Sequence, residues 1–185
     1  LGERVLSALF DAVTPRTAGF NSTDTGALTP GSLLLTIIFM FIGGSPGSTA
    51  GGIKTTTIFV ILLHTFSGIR REQSANAFGR SIGDDALKKA TSVLFTNLLL
   101  ALIGAIAISA IQPLALSDVL FETFSAIGTA GMTTGITREL LPVSRGIIIF
   151  LMYCGRVGSI SFAVALLEKR ALPPVTLPRE EITIG

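Results

Sequence analysis

Apolar residues in this chain come in runs rather than in alternation. Residues 90–111, ATSVLFTNLLLALIGAIAISAI, carry no charge. A membrane-spanning helix needs about 20 such residues. The run stops at Gln112-Pro113, where proline ends a helix. Residues 146–167, GIIIFLMYCGRVGSISFAVALL, form a second run, interrupted by one charge, Arg156. A third comes in two pieces, LLLTIIFMFI (33–42) and IFVILL (58–63), separated by the glycine-rich GGSPGSTAGGIKTTT (43–57). Each piece is too short to span, and the two with their loop are too long for one straight helix. The pattern predicts a broken helix with an irregular middle. After Pro113, LSDVLFETFSAIG reads as a short amphipathic helix, too polar to span, with Ser117 as its expected N-cap.

Composition agrees with a bilayer. Only 14% of the 185 residues are charged and 49% are hydrophobic, against about 25% charged in soluble domains. Mean hydropathy is +0.69. A net charge of +2 is too small to point to nucleic acid. The single cysteine, Cys154, excludes an intrachain disulfide and reads as a small core residue. The single histidine, His64, leaves little scope for a histidine-based metal site or triad and reads as an ordinary interfacial residue. No basic stretch precedes an apolar run at the N-terminus, so no signal peptide is visible. The chain opens on leucine, which suggests a piece of a longer protein.

Charge sorts the connections. Residues 68–89 hold Arg70, Arg71, Arg80, Lys88 and Lys89, and the tail after Leu167 holds Lys169, Arg170 and Arg179. Both are cytoplasmic by the positive-inside rule. Residues 21–32 and 112–117 contain no Lys or Arg and fall on the opposite side, with Arg138 and Arg145. Three crossings satisfy this arrangement.

A shift of 112 aligns the chain with itself. Thr17-Ala18-Gly19 falls on Thr129-Ala130-Gly131, and Thr25, Leu28, Pro30 and Ser32 fall on Thr137, Leu140, Pro142 and Ser144. Ile37, Met40 and Gly43 fall on Ile149, Met152 and Gly155. With a one-residue gap, Phe10-Asp11 falls on Phe121-Glu122. The repeated unit is a short helix, a T-A-G turn and a long apolar helix. That is the layout of a re-entrant loop, whose non-helical backbone is tolerated at membrane depth only if buried or lining a watery cavity. Carbonyls in such a turn can replace an ion's water shell. Glycine admits the backbone angles that turn them inward, and the negative end of the short helix faces a cation. Asp11 and Glu122 read as residues that begin the short helices and partner their dipoles.

The glycine-rich loop also resembles a phosphate-binding loop. That pattern requires lysine directly after its second glycine. Gly47 and Gly52 have the right separation, but Ile53 holds that place, and Lys54 and Thr55 come one residue late. A membrane-bound nucleotide site over Gly47–Thr55 is the competing reading. It predicts nucleotide binding that Lys54→Ala abolishes. Against it, the second copy places Gly155-Arg156-Val157-Gly158-Ser159 where the first has Gly43–Gly47, with no phosphate loop.

The stretches TPRTAGFNS, GGSPGSTAGGIKTT, GTAGMTTGIT and CGRVGSISFAVAL together resemble the Trk/Ktr/HKT superfamily of potassium transporters, most closely the KtrB-type membrane subunit. The resemblance implies an all-α membrane protein of K⁺-channel-like M1-P-M2 pore-loop repeats with a broken M2 helix. The chain matches the last two of four repeats. It divides into 1–67 (third pore helix, filter and M2), a cytoplasmic linker 68–89, a fourth repeat 90–168, and a cytoplasmic tail 169–185. A longer parent would supply the rest.

By the same resemblance, Thr17, Ala18, Gly19 and Phe20 are the third filter segment, and Thr129, Ala130, Gly131 and Met132 the fourth. Their backbone carbonyls would meet K⁺. Gly43, Gly44, Ser45, Gly47, Ser48, Thr49, Gly51, Gly52 and Lys54 belong to an intramembrane gating loop. Arg156 faces the pore below the filter, either as part of the gate or as a clamp between helices. From the residues alone, Lys54 is expected to snorkel toward the cytoplasm. The fourth filter departs from the family by Ala130 and Met132 where Val and Leu are commoner, and Pro46 is unusual and stiffens the loop. The implied function is K⁺ uptake without enzyme chemistry or a bound cofactor, with Na⁺ as a possible second cargo. The implied setting is a multi-pass homodimer in a bacterial inner membrane, resting on a cytosolic nucleotide-binding regulatory ring, with no nucleic-acid partner.

Overall fold

The computed structural model describes residues 2–20, 24–48, 50–70 and 75–158. Among the described residues, six α-helices run in chain order: α1 (Gly2–Val13), α2 (Pro30–Phe41), α3 (Thr55–Ile69), α4 (Asp84–Ile111), α5 (Leu116–Gly128) and α6 (Pro142–Val157). At about 1.5 Å per residue, α4 is about 42 Å long, enough to cross a bilayer core of about 30 Å. It begins with Asp84 and Asp85, which suit the positive end of its dipole. Its flank of Phe95, Leu99, Leu102, Ile103 and Ile106 faces outward, as expected of a surface that meets lipid or further protein.

The third apolar run forms two helices with the glycine-rich loop between them. α2 stops at Phe41 and α3 starts at Thr55. Ile42 and Ile53 form an isolated parallel bridge between the two ends. Gly43 N–H donates to Ile53 O at 2.8 Å, and Thr55 N–H donates to Gly44 O at 3.2 Å. The loop is therefore closed at a neck that ties the end of α2 to the start of α3.

Both copies of the repeat fold alike. α2 starts at Pro30 and α6 at Pro142, the aligned prolines, where a missing N–H costs nothing. Short 3₁₀ turns precede both, Thr25–Ala27 and Ile136–Arg138. The caps differ. Thr29 caps α2 by accepting from Ser32 N–H at 3.3 Å. Its counterpart, Leu141, has no cap to offer, and Gln112 at the end of α4 substitutes. Gln112 Oε1 accepts from Leu141 N–H at 2.9 Å, and its Nε2 donates to Glu139 O at 3.2 Å.

α5 is the short helix expected after Pro113, and its polar positions are buried rather than turned to water. Every residue from Phe121 to Gly128 is buried, in a core shared with Met40, Ile108, Leu151 and Cys154. Phe124 meets Phe41 edge-on at 5.2 Å. The polar residues of α5 are tolerated because they find partners inside. Thr123 Oγ1 donates to Val119 O at 3.0 Å, a bond within the helix. Its first residue is Leu116, with Ala115 as an N-cap that makes no side-chain bond. Ser117 lies inside the first turn and is not the cap, because Ala115 O already accepts from Asp118 and Val119 N–H at 3.1 Å.

One small sheet departs from an all-α chain. β1 (Ala75–Ala77) pairs antiparallel with β2 (Arg80–Ile82) inside the basic linker. Phe78 and Gly79 form its two-residue turn, both with positive φ. That twist suits a tight hairpin. The tail 169–185 and residues 159–167 of the last apolar run lie outside the described residues.

Candidate functional site

The two T-A-G segments lie side by side at the ends of α1 and α5. Their backbones match. Thr17 and Thr129 both take positive φ (68° and 53°), as do Gly19 and Gly131 (72° and 81°). Positive φ is costly for threonine and natural for glycine. Gly19 packs against the other turn: a Cβ on it would overlap the Ala130 carbonyl and come 3.6 Å from Gly131 Cα. Thr25 Oγ1 donates to Thr133 O, which ties the copies together beyond the turns. Ala130 and Met132 are buried, Thr17, Gly19 and Thr129 half-buried, and Ala18, Phe20 and Gly131 exposed.

The short helices hold these turns by their last carbonyls. Thr14 O accepts from Ala18 and Gly19 N–H at 3.2 and 3.1 Å, and Ser125 O accepts from Ala130 N–H at 2.9 Å. The hydroxyls of the same two residues reach further. Thr14 Oγ1 donates to Phe20 O, and Ser125 Oγ to Met132 O, each at 2.5 Å. Among the described residues, no hydrogen bond reaches the carbonyl oxygens of Ala18, Gly19, Ala130 or Gly131.

Glu122 does not begin α5; it lies more than a turn inside, and Asp118 occupies the first turn. Asp11 likewise falls near the end of α1. Both were expected at helix starts because the short helices begin earlier than the charge pattern suggests. Glu122 is 4% exposed. Its Oε1 accepts from the Thr133 hydroxyl and from Thr137 Oγ1, the latter at 2.9 Å. Thr133 Oγ1 in turn accepts from Gly135 N–H at 2.9 Å. A cavity of about 430 Å³ opens here, lined by Glu122, Thr129, Gly131, Thr133 and Arg138.

The glycine-rich loop docks against the second turn. Gly51 N–H donates to Thr129 Oγ1 at 3.0 Å, and Gly52 N–H points to Gly155 O at 3.4 Å. A Cβ on Gly51 would overlap the Thr129 side chain. Gly155 is pressed as closely, because a Cβ there would overlap the Ile127 carbonyl. Gly43 and Gly51 are buried, Gly44, Gly52 and Lys54 half-buried, and Ser45, Gly47 and Ser48 exposed. At the loop's far end, Ser45-Pro46-Gly47-Ser48 makes a tight turn. Ser48 N–H donates to Ser45 O at 3.2 Å, and Gly47 holds φ +80° after proline, as a type II turn requires. Thr49 lies outside the described residues.

Lys54 does not snorkel. Its ammonium folds back on the loop and donates to Ala50 O, and to Ser48 O at 3.3 Å. A phosphate loop aims N–H groups at its ligand; here the lysine is engaged with carbonyls. Arg156 is exposed in the last turn of α6, next to the docking residue Gly155.

Sequence reasoning missed Thr14, Ser125 and Thr133, gave Glu122 only a dipole role, and saw Thr137 and Gly155 only as repeat partners of Thr25 and Gly43. The alignment already paired Phe10-Asp11 with Phe121-Glu122, and continuing that register pairs Thr14 with Ser125. Residues 1–171 match the family model of TrkH, the cation transport proteins.

The chain belongs to the TrkH cation transport family.

Within that family, it is 41% identical over 183 residues to "Ktr system potassium uptake protein B" of Bacillus subtilis, covering 99% of this chain and 41% of that one. It is 38% identical over 189 residues to "Potassium/sodium uptake protein NtpJ" of Enterococcus hirae, covering 99% of this chain and 42% of that one. The chain thus spans about two-fifths of the length of these relatives. The crystal structure of the potassium transporter TrkH from Vibrio parahaemolyticus shares the fold, with a TM-score of 0.73 at 18% identity over 86% of this chain and 36% of that one. TrkH family members are membrane proteins, and the mostly helical fold with the long apolar α4 agrees with that.

Proposed function

We propose that this chain supplies two of the M1-P-M2 repeats that surround the ion path of a K⁺ uptake system. Thr17–Phe20 and Thr129–Met132 serve as filter segments, with the Phe20 and Met132 carbonyls held by Thr14 and Ser125 instead of offered to the ion, and the loop from Gly43 to Lys54 as the gate beneath them. One observation carries this reading: two T-A-G turns with the same unusual backbone pack together where Gly19 meets the Ala130 carbonyl, and the glycine-rich loop bonds directly to Thr129. The carbonyls of Ala18, Gly19, Ala130 and Gly131, which no hydrogen bond reaches among the described residues, are the groups a dehydrating cation needs. The negative ends of α1 and α5 add favourable potential. K⁺ is the cargo by likeness to relatives named for potassium uptake, with Na⁺ second because one is named for both. Arg156 places a positive charge beside the docked loop, where it opposes cation passage. A bilayer, a second copy and a cytosolic nucleotide-binding regulatory subunit complete the assembly, consistent with relatives named as parts of a Ktr system.

Nucleotide binding by the loop itself is the weaker reading, because Lys54 is spent on loop carbonyls. The test is growth on low K⁺ in cells that lack K⁺ uptake, using the full-length parent with its regulatory partner. The parent restores growth, Gly131→Asp does not, and deletion of Ser45–Ala50 passes more cation. A parent that reaches the membrane and never restores growth refutes the K⁺ assignment.

A further inference from the structure

We propose that Thr14 and Ser125 are positioning residues that fix the peptide plane following each T-A-G turn, and so set the affinity of the ion path. This rests on reading those turns as the path. Each residue grips its turn twice. Its carbonyl accepts from the alanine N–H within the turn, and its hydroxyl donates to the carbonyl of the residue after the glycine. Both are nearly sealed from solvent, at 3% and 4% exposure.

Three features separate this grip from ordinary helix-end bonding. A Ser or Thr hydroxyl at a helix end usually bonds back to a carbonyl about four residues earlier. Thr123, two places before Ser125, does so with Val119. Thr14 and Ser125 instead reach forward, six and seven residues along the chain. That difference of one is the single-residue gap in the repeat, which falls between the hydroxyl and the turn. The bond closes at 2.5 Å in both copies despite the gap, and despite Thr facing Phe20 in one and Ser facing Met132 in the other. Recurrence across that difference points to a constraint on the carbonyl, not to a neighbouring sequence.

The consequence is directional. The Phe20 and Met132 carbonyls are turned back toward their own short helices. The Ala18, Gly19, Ala130 and Gly131 carbonyls keep no such partner among the described residues. Without the hydroxyl, the peptide unit that carries the Phe20 or Met132 carbonyl is free to rotate, and its rotation passes through that residue to the glycine carbonyl before it. A loosened carbonyl ring holds a cation less well.

The experiment measures initial K⁺ uptake against K⁺ concentration for the full-length parent, Thr14→Val, Ser125→Ala, and the conservative Thr14→Ser and Ser125→Thr. The KM for K⁺ rises about fivefold in Thr14→Val and Ser125→Ala, the equivalent of about one net hydrogen bond, while the maximum rate per membrane-inserted protein changes less than twofold. The conservative variants return to the parent KM. A loss of packing alone would lower the maximum rate and leave KM in place, so that result overturns the proposal, as does an unchanged KM. If Ser125→Ala fails to reach the membrane, Thr14→Val, which keeps the side-chain shape, decides the matter. Gly131→Asp run alongside separates the two levels. If it transports normally, the reading of the turns as the ion path fails. If it is dead while the hydroxyl variants keep the parent KM, only the positioning role fails.

Discussion

Gly51→Ala is the sharpest test of the loop as a gate. The added Cβ would overlap Oγ1 and Cγ2 of Thr129 and stand 2.9 Å from Gly155 O. Carbon atoms settle at about 3.5–4.0 Å, so the loop must withdraw by about 1 Å. Withdrawal breaks the 3.0 Å bond from Gly51 N–H to Thr129 and the 3.4 Å contact from Gly52 N–H to Gly155 O. Each such bond is worth about 1 kcal/mol net. Docking is therefore weakened by about 2 kcal/mol, a shift of about 30-fold toward the undocked loop. Rb⁺ uptake into cells, normalised to protein in the membrane, rises by up to that factor, limited by passage through the filter. Gly68→Ala, on α3 where an added Cβ meets nothing within 4 Å, behaves as the parent. Equal or lower uptake by Gly51→Ala at equal membrane level refutes the idea that the docked loop obstructs the path.

Two other perturbations follow from the same geometry. Glu122→Ala strips the acceptor from the hydroxyls of Thr133 and Thr137 and costs about 2 kcal/mol; the melting midpoint in detergent falls by several degrees, Glu122→Gln loses less than half as much, and an unchanged midpoint for Glu122→Ala contradicts the bracing. Lys54→Met frees the Ala50 and Ser48 carbonyls and raises uptake several-fold, while calorimetric titration with ATP shows no binding to the parent; ATP binding that Lys54→Met removes would restore the phosphate-loop reading.

The elements legible in the sequence are those fixed by local rules. Uncharged length announces α4, a glycine cluster between apolar pieces announces the break between α2 and α3, and aligned prolines announce the starts of α2 and α6. The illegible parts depend on partners distant in sequence. α5 looked amphipathic because Glu122, Thr123 and Ser125 are polar, yet it is buried because Thr133, Thr137 and Met132 return to meet two of them. Ser117 resembled a cap because capping preferences are local, whereas Pro113 and the path of the chain set the start of α5. Lys54 was judged by its charge near an apolar run, but the loop turns its own carbonyls toward it. The T-A-G turns were found through their repetition. Their contact at Gly19 and the Ala130 carbonyl needed the folded chain.

The neck at Ile42 and Ile53 has an evolutionary corollary. Because the two strands of chain are tied together there, what lies beyond is a tethered ring whose ends are already joined. The entropy of such a ring grows only with the logarithm of its length, about 0.6 kcal/mol for each doubling. Residues can be gained or lost beyond the neck without bending α2 against α3. A change of loop length is then felt at the docking of Gly51 on Thr129 and not in the pairing of α2 with α3, so the obstruction can be retuned without refolding the helices that carry it.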